Sequence, residues 1–173
     1  MQVLFASHHR RTWSNDRCVA LLKSQRDMYR YIHDQTIPMA NAGLTPREIA
    51  EQLRLPQALA TQWACRSCYG SVYHDTVAQY NLRLGFFDRV PANLHRHTPV
   101  ESARRYVAFM GGADNVLRQA TDSYSRGDCR WVAEAVNHVV FAAADNVAAK
   151  NLLADAYEQL GYQAESCPWR NCA

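Results

Sequence analysis

From Asp16 onward, the apolar residues of this 173-residue chain recur at helical spacing. Cys18, Val19, Leu21, Leu22, Met28, Tyr29 and Ile32 form one stripe, which predicts a helix capped by Ser14 or Asn15. Pro38 is expected to end or kink it, because proline lacks an amide donor and crowds the preceding turn; Gly43 then supplies a stop. Leu44-Thr45-Pro46-Arg47-Glu48-Ile49-Ala50 reads as a second start. Thr45 suits the N-cap, Pro46 the first helical position, and Glu48 can reach back to close a capping box. The same grammar returns at Thr98-Pro99-Val100-Glu101, followed by Ala103, Tyr106, Val107 and Met110, with Gly111-Gly112 as the stop.

Residues 56–64 and 71–84 predict shorter helices, the second stopped by Gly85. Residues 86–94 read as an ordered loop with its aromatics pinned to the core, and Trp63, Trp131, Phe86 and Phe87 are expected to be core aromatics. In the C-terminal third, Gly127-Asp128 and Gly161-Tyr162 lie 34 residues apart, each expected to close a helix, with one helical pair of tetratricopeptide-like spacing between them. A single pair cannot bury its own faces and must pack on the helices before it. No alternating run follows residue 14, and no hairpin signal is visible. The expected fold is all-α: a helical bundle with a tetratricopeptide-like pair at its C-terminal end, preceded by one short β-strand in Val3-Leu4-Phe5-Ala6.

Composition narrows the function. Hydrophobic residues at 48% and charged residues at 20% exclude a disordered chain. The net charge of +3 comes from 19 scattered Lys and Arg, which does not demand a nucleic-acid partner. No apolar stretch approaches the roughly 20 residues of a membrane span, and no secretory signal is visible at the start. Cys65-Arg66-Ser67-Cys68 is the one C-x-x-C among six cysteines. A structural zinc site needs a second ligand pair, and none follows, so free thiols are expected.

Candidate chemistry is sparse. The apolar run at the N-terminus ends in Ser7-His8-His9, which reads as a buried strand delivering an imidazole to a site. His95-Arg96-His97 is the one H-x-H, in a proline-bounded loop without a following Asp-His. His33 and His138 fall on helical faces and are expected to be packed, hydrogen-bonded rings.

A chain-wide set of short matches then resembles a known family. It begins at Gln25-Arg26-Asp27-Met28-Tyr29-Arg30-Tyr31-Ile32-His33-Asp34-Gln35-Thr36 and continues through Tyr69-Gly70-Ser71-Val72, Leu84-Gly85-Phe86-Phe87-Asp88 and Pro91-Ala92-Asn93-Leu94. It resumes at Arg105-Tyr106-Val107, Met110-Gly111-Gly112-Ala113-Asp114 and Arg130-Trp131-Val132-Ala133-Glu134, and ends with Leu160-Gly161-Tyr162-Gln163-Ala164-Glu165-Ser166 and Pro168-Trp169-Arg170-Asn171. These residues resemble the helical dimerisation domain of zinc-dependent alkylsulfatases, hydrolases of the metallo-β-lactamase superfamily acting on detergents such as dodecyl sulfate.

The resemblance implies a domain division: residues 1–14 as the C-terminal edge of a metallo-β-lactamase-fold catalytic domain, and residues 15–173 as the dimerisation domain. It implies that His8 is the last zinc ligand of that catalytic domain, with His9 the second choice. A ligating imidazole must be neutral and oriented by a further partner. The family mechanism it implies uses two zinc ions holding a bridging water to assist cleavage of the sulfate ester. His74, Asp75 and Tyr80 match a stretch near the family's active-site mouth, where Tyr80 would bind a substrate sulfate; a core tyrosine with a satisfied hydroxyl is the alternative. A homodimer is the implied assembly, with no nucleic acid.

The superfamily's H-x-H-x-D-H cluster is absent from this sequence. One histidine cannot build a catalytic zinc site, which takes about three protein ligands. The chain alone is therefore expected to be inactive and to hold no stable zinc, alkyl sulfate being a substrate only of full-length relatives. It departs from the family pattern at Arg10-Arg11, at Ser14 where glycine is usual, at Pro38, at Cys65 and Cys68, and at the ending Cys172-Ala173, features expected of a truncated or decaying copy. Two other readings stay open. One is a stand-alone helical scaffold for a protein partner. The other is a helix-turn-helix beginning at residues 44–55, although residues 57–66 offer one arginine where phosphate contacts need several cations.

Overall fold

The N-terminal apolar run is one arm of a hairpin, not a lone strand. In the computed structural model, which describes residues 1–172 apart from the side chain of His9, β1 (Val3–Ala6) pairs antiparallel with β2 (His9–Trp13). Val3 faces Trp13, Leu4 faces Thr12, and an irregularity between Leu4 and Ala6 shifts the register. The second arm, His9-Arg10-Arg11-Thr12-Trp13, is polar, so apolar alternation cannot reveal it. Backbone pairing holds it instead. The Ser14 amide donates to the Gln2 carbonyl at 3.0 Å, and the terminal ammonium donates to Asn15 Oδ1 at 2.9 Å.

Helix α1 (Asn15–Asn41) follows, and Ser14 caps it with no side-chain bond. Ser14 instead turns the corner at φ 76°, ψ 144°, near a region that only glycine occupies without strain. Pro38 does not end α1. It lies in the last turn, where a missing amide deletes one bond, and the Ala42 amide still donates to the Pro38 carbonyl at 2.9 Å. The chain reverses at Gly43, φ +99°.

Helix α2 (Pro46–Gln52) has the expected capping box, Thr45 and Glu48 bonding reciprocally. A short α3 (Gln57–Ala60) and a 3-10 turn (Trp63–Cys65) lead to α4 (Val72–Leu84), capped by Ser71 and stopped at Gly85. These elements and the hairpin form one compact unit, Met1–Leu94. Its core gathers Met28, Ile32, Ala40, Ile49, Leu53, Cys65 and Tyr80.

A second compact unit begins at His95. It contains α5 (Pro99–Phe109), α6 (Ala113–Ser125), α7 (Cys129–Ala142), α8 (Val147–Gln163) and α9 (Cys167–Cys172). Helix α7 is its axis, packing on α5, α6 and α8 and burying Val132, Val136 and Val139 completely. Burial at roughly 25 cal/mol per Å² of apolar surface makes these valines, with Val116, Ala149 and Ala156, contributors to the cohesion of this core. Asp128 caps α7 through the Trp131 amide, and Asn146 caps α8 through the Ala149 amide. Gly127 ends the α6 connection at φ +81°, but Gly161 closes nothing: it is buried inside α8, which runs on to Gln163.

The aromatics depart from expectation. Phe86 is 86% exposed and Phe87 half-buried, so the 86–94 loop is not pinned by both rings. Polar bonds from Asp88 order it, accepting from the Val90 amide at 3.0 Å and from the Asn93 side-chain amide. Trp63 and Trp131 are about half exposed, at 47% and 51%, and are not core residues. The all-α class stands, with the two-stranded hairpin in front of it.

Candidate functional site

A cavity of about 450 Å³ opens in the first unit. The hairpin, α1 and the segment 64–75 wall it. Leu4 and Ala6 come from β1, Leu22 and Met28 from α1, and Tyr69 and Asp75 from the third wall. Local bonds hold these walls. The Gln25 side-chain amide donates to the Ala64 carbonyl, and the Cys65 thiol donates to the Ser24 carbonyl at 3.5 Å, so both tie the 64–75 segment to α1.

His8 stands at the tip of the hairpin, exposed, with its ring stacked on Tyr69 at 3.8 Å between centroids and 12° between planes. The Arg10 guanidinium lies over the Trp63 ring, 5.3 Å from its centroid. These two contacts fasten the hairpin to the rest of the unit. Neither was visible in the sequence, since each joins residues more than fifty positions apart.

Among the described residues, Asp75 is the one carboxylate lining the cavity. Burial raises its pKa above the ordinary 3.8, and the neighbouring His74 only partly opposes this. A Cβ at Gly70 would stand 3.0 Å from Asp75 Oδ1, so glycine lets the loop close on the carboxylate. His74 is held by Ser71, whose hydroxyl lies 2.7 Å from Nδ1. Burial also pushes the Cys65 thiol up, with Asp27 adding to the effect. That favours the protonated, unreactive form. Cys65 and Cys68 are both free thiols, one buried and one exposed.

Tyr80 lies on α4 in the core, 1% exposed, its hydroxyl donating to the Phe87 carbonyl at 3.4 Å. His95 and His97 are exposed where the second unit begins. His33 contacts Asp34 at 2.9 Å through Nδ1, and His138 packs against the Tyr106 ring. The side chain of His9 lies outside the described residues.

Among the described residues, no three His, Cys, Asp or Glu side chains converge as a metal would need. His8 contributes a single imidazole, engaged by Tyr69. Among the described residues, no helix is long and apolar enough to cross a membrane.

A nearly end-to-end likeness decides what these helices are. The family model for alkyl sulfatase dimerisation matches residues 45–172. The chain belongs to this family. It is 55% identical to a linear primary-alkylsulfatase of Pseudomonas sp. over 99% of its length and 25% of that enzyme's. It is 50% identical to the alkyl/aryl-sulfatase BDS1 of Saccharomyces cerevisiae over 98% of its length and 26% of the relative's. Among solved structures, the stereoselective inverting sec-alkylsulfatase Pisa1 from Pseudomonas sp. superposes with a TM-score of 0.93 at 44% identity, over 98% of this chain and 27% of that one. The alkyl sulfatase dimerisation chain thus spans about a quarter of the length of the relatives it matches.

Proposed function

We propose that this chain is the dimerisation region of an alkylsulfatase-type zinc hydrolase, joining two copies through its helices. The carrying observation is the match to alkylsulfatases across 98–99% of the chain. In this reading residues 1–14 are the edge of a metallo-β-lactamase-fold catalytic domain, and His8 donates one imidazole to zinc whose other ligands the remaining three quarters of such an enzyme supply. The exposed position of His8 at a hairpin tip supports that role, because a ligand shared between segments must project. Tyr80 acts from the core, positioning the 86–88 loop through Phe87 rather than touching sulfate. The α7–α8 pair functions as a tetratricopeptide-like unit stacked on α5 and α6.

The 173-residue polypeptide by itself is then a dimer without esterase activity, since a lone imidazole is no catalytic zinc site. Light scattering on the pure chain should give twice its 19.7 kDa mass, and incubation with zinc and dodecyl sulfate should release no sulfate above background. A monomer would sink the assembly reading. Zinc-dependent sulfate release would sink the claim of inactivity.

A further inference from the structure

One face of the second unit gathers exposed aromatic residues from two helices. Trp131, Glu134, His138 and Phe141 recur at intervals of three, four and three along α7, which places them on one side of that helix, opposite the buried Val132, Val136 and Val139. Three of the four are aromatic. Helix α5 extends this surface: Tyr106 packs on His138 with centroids 4.7 Å apart, and Phe109 lies one turn further along α5, as Phe141 does along α7. Phe109 is 92% exposed. An aromatic strip of this kind, outside any core, marks an interaction surface.

We infer that this α5–α7 face, centred on Tyr106, Phe109, Trp131 and Phe141, is the contact surface for a second copy of the chain. The inference rests on the dimerisation reading above and locates it. Two observations favour a second copy over another partner. The face lies wholly within residues 45–172, the part matched by a family defined by dimerisation. Its charges also suit self-contact. A twofold contact sets each patch against itself, so a patch of one sign would repel its own copy. On the outer side of α7, Arg130 lies 3.9 Å from Glu134, one charge of each sign, and Tyr106, Phe109, Trp131 and Phe141 supply the aromatic surface around them. Aromatic residues are the side chains that most often anchor such contacts.

Sedimentation velocity on the full chain tests this with Phe109→Arg combined with Phe141→Arg, and with Leu82→Arg as control on an exposed α4 position of the first unit. Wild type and Leu82→Arg should sediment as dimers. The double variant should self-associate at least about thirtyfold more weakly while keeping its helical circular dichroism. A folded double variant with undiminished self-association would overturn the assignment of this face and leave the dimerisation reading standing. A monomeric wild type would overturn both. Should the double variant lose helicity, wild-type-like protein carrying p-benzoylphenylalanine in place of Phe109 decides. Irradiation of the dimer should yield a covalent species of twice the chain mass, and its absence from a dimeric sample would refute the face.

Discussion

Two helix starts, one in each compact unit, share the same letters and use them differently. Before α2, Thr45 accepts from the Glu48 amide while the Glu48 carboxylate takes the Thr45 amide at 2.8 Å, a closed capping box. Before α5, Thr98 makes no side-chain cap, and Glu101 turns away to bind Arg105 at 2.8 Å. The competing partner explains the difference: a cation one turn downstream claims the carboxylate at α5, whereas the equivalent position of α2 is the uncharged Gln52. What lies beneath differs as well. Helix α2 buries Pro46, Ile49 and Ala50, while α5 buries Ala103 alone. Helix α2 is thus anchored at its start and in its core, and α5 keeps most of its surface outside.

The largest effect expected from this contrast is in the cores. Ile49→Ala should destabilise the first unit by about 2–5 kcal/mol, since a fully buried branched side chain leaves a cavity. Ala103→Gly, at the buried position of α5, should cost only about 1 kcal/mol of helix propensity. Urea denaturation followed by hydrogen exchange separates the two, and equal losses would erase the contrast. Next in size are the caps. Thr45→Ala should cost about 1 kcal/mol, and Thr98→Ala a few tenths at most, read as shifts in the denaturation midpoint. A matching loss at Thr98 would mean that its hydroxyl caps α5 in solution.

The smallest effects are on acid titration, and two carboxylates of the first unit carry opposite signs. Glu48 is held below its ordinary 4.5, first by the Thr45 amide and then by the Thr45 hydroxyl. Its stabilisation is therefore present above that value and is lost as pH falls through the lowered pKa. Asp75 is raised above 3.8 by burial, so the folded chain holds its proton longer. Its share of stability is full below 3.8 and declines as pH rises through the raised pKa. Asp75→Asn should flatten that decline in a pH series of thermal melts, whereas Thr45→Ala should weaken the low-pH loss. Melts of Asp75→Asn that track wild type at every pH would refute the burial effect.

Helix positions were legible where a Thr-Pro start and a 3.6-residue stripe coincide, as at Thr45-Pro46 and Thr98-Pro99, even though only Thr45 closes a cap. Local signals failed where distant partners decide. The second hairpin arm is polar and exists through its ladder with Val3 and Leu4. Pro38 is tolerated because of its place in the last turn of α1, and Gly161 reads as a stop although it lies buried inside α8. Trp63 and Trp131 look like core by type, yet each keeps about half its surface outside: Trp63 meets Arg10, and Trp131 lies on the outer side of α7. The cavity was less legible still. Its walls meet through His8 on Tyr69 and Gln25 on Ala64, contacts that no spacing rule reaches.

The corner at Ser14 has a mechanical consequence. A side chain held at φ 76° costs on the order of 1–3 kcal/mol, which the pairing of the hairpin and its contacts with α1 must offset. The strained corner thus ties one wall of the cavity to the start of α1, and the ring stack of His8 on Tyr69, with Arg10 over Trp63, sets where that wall lies.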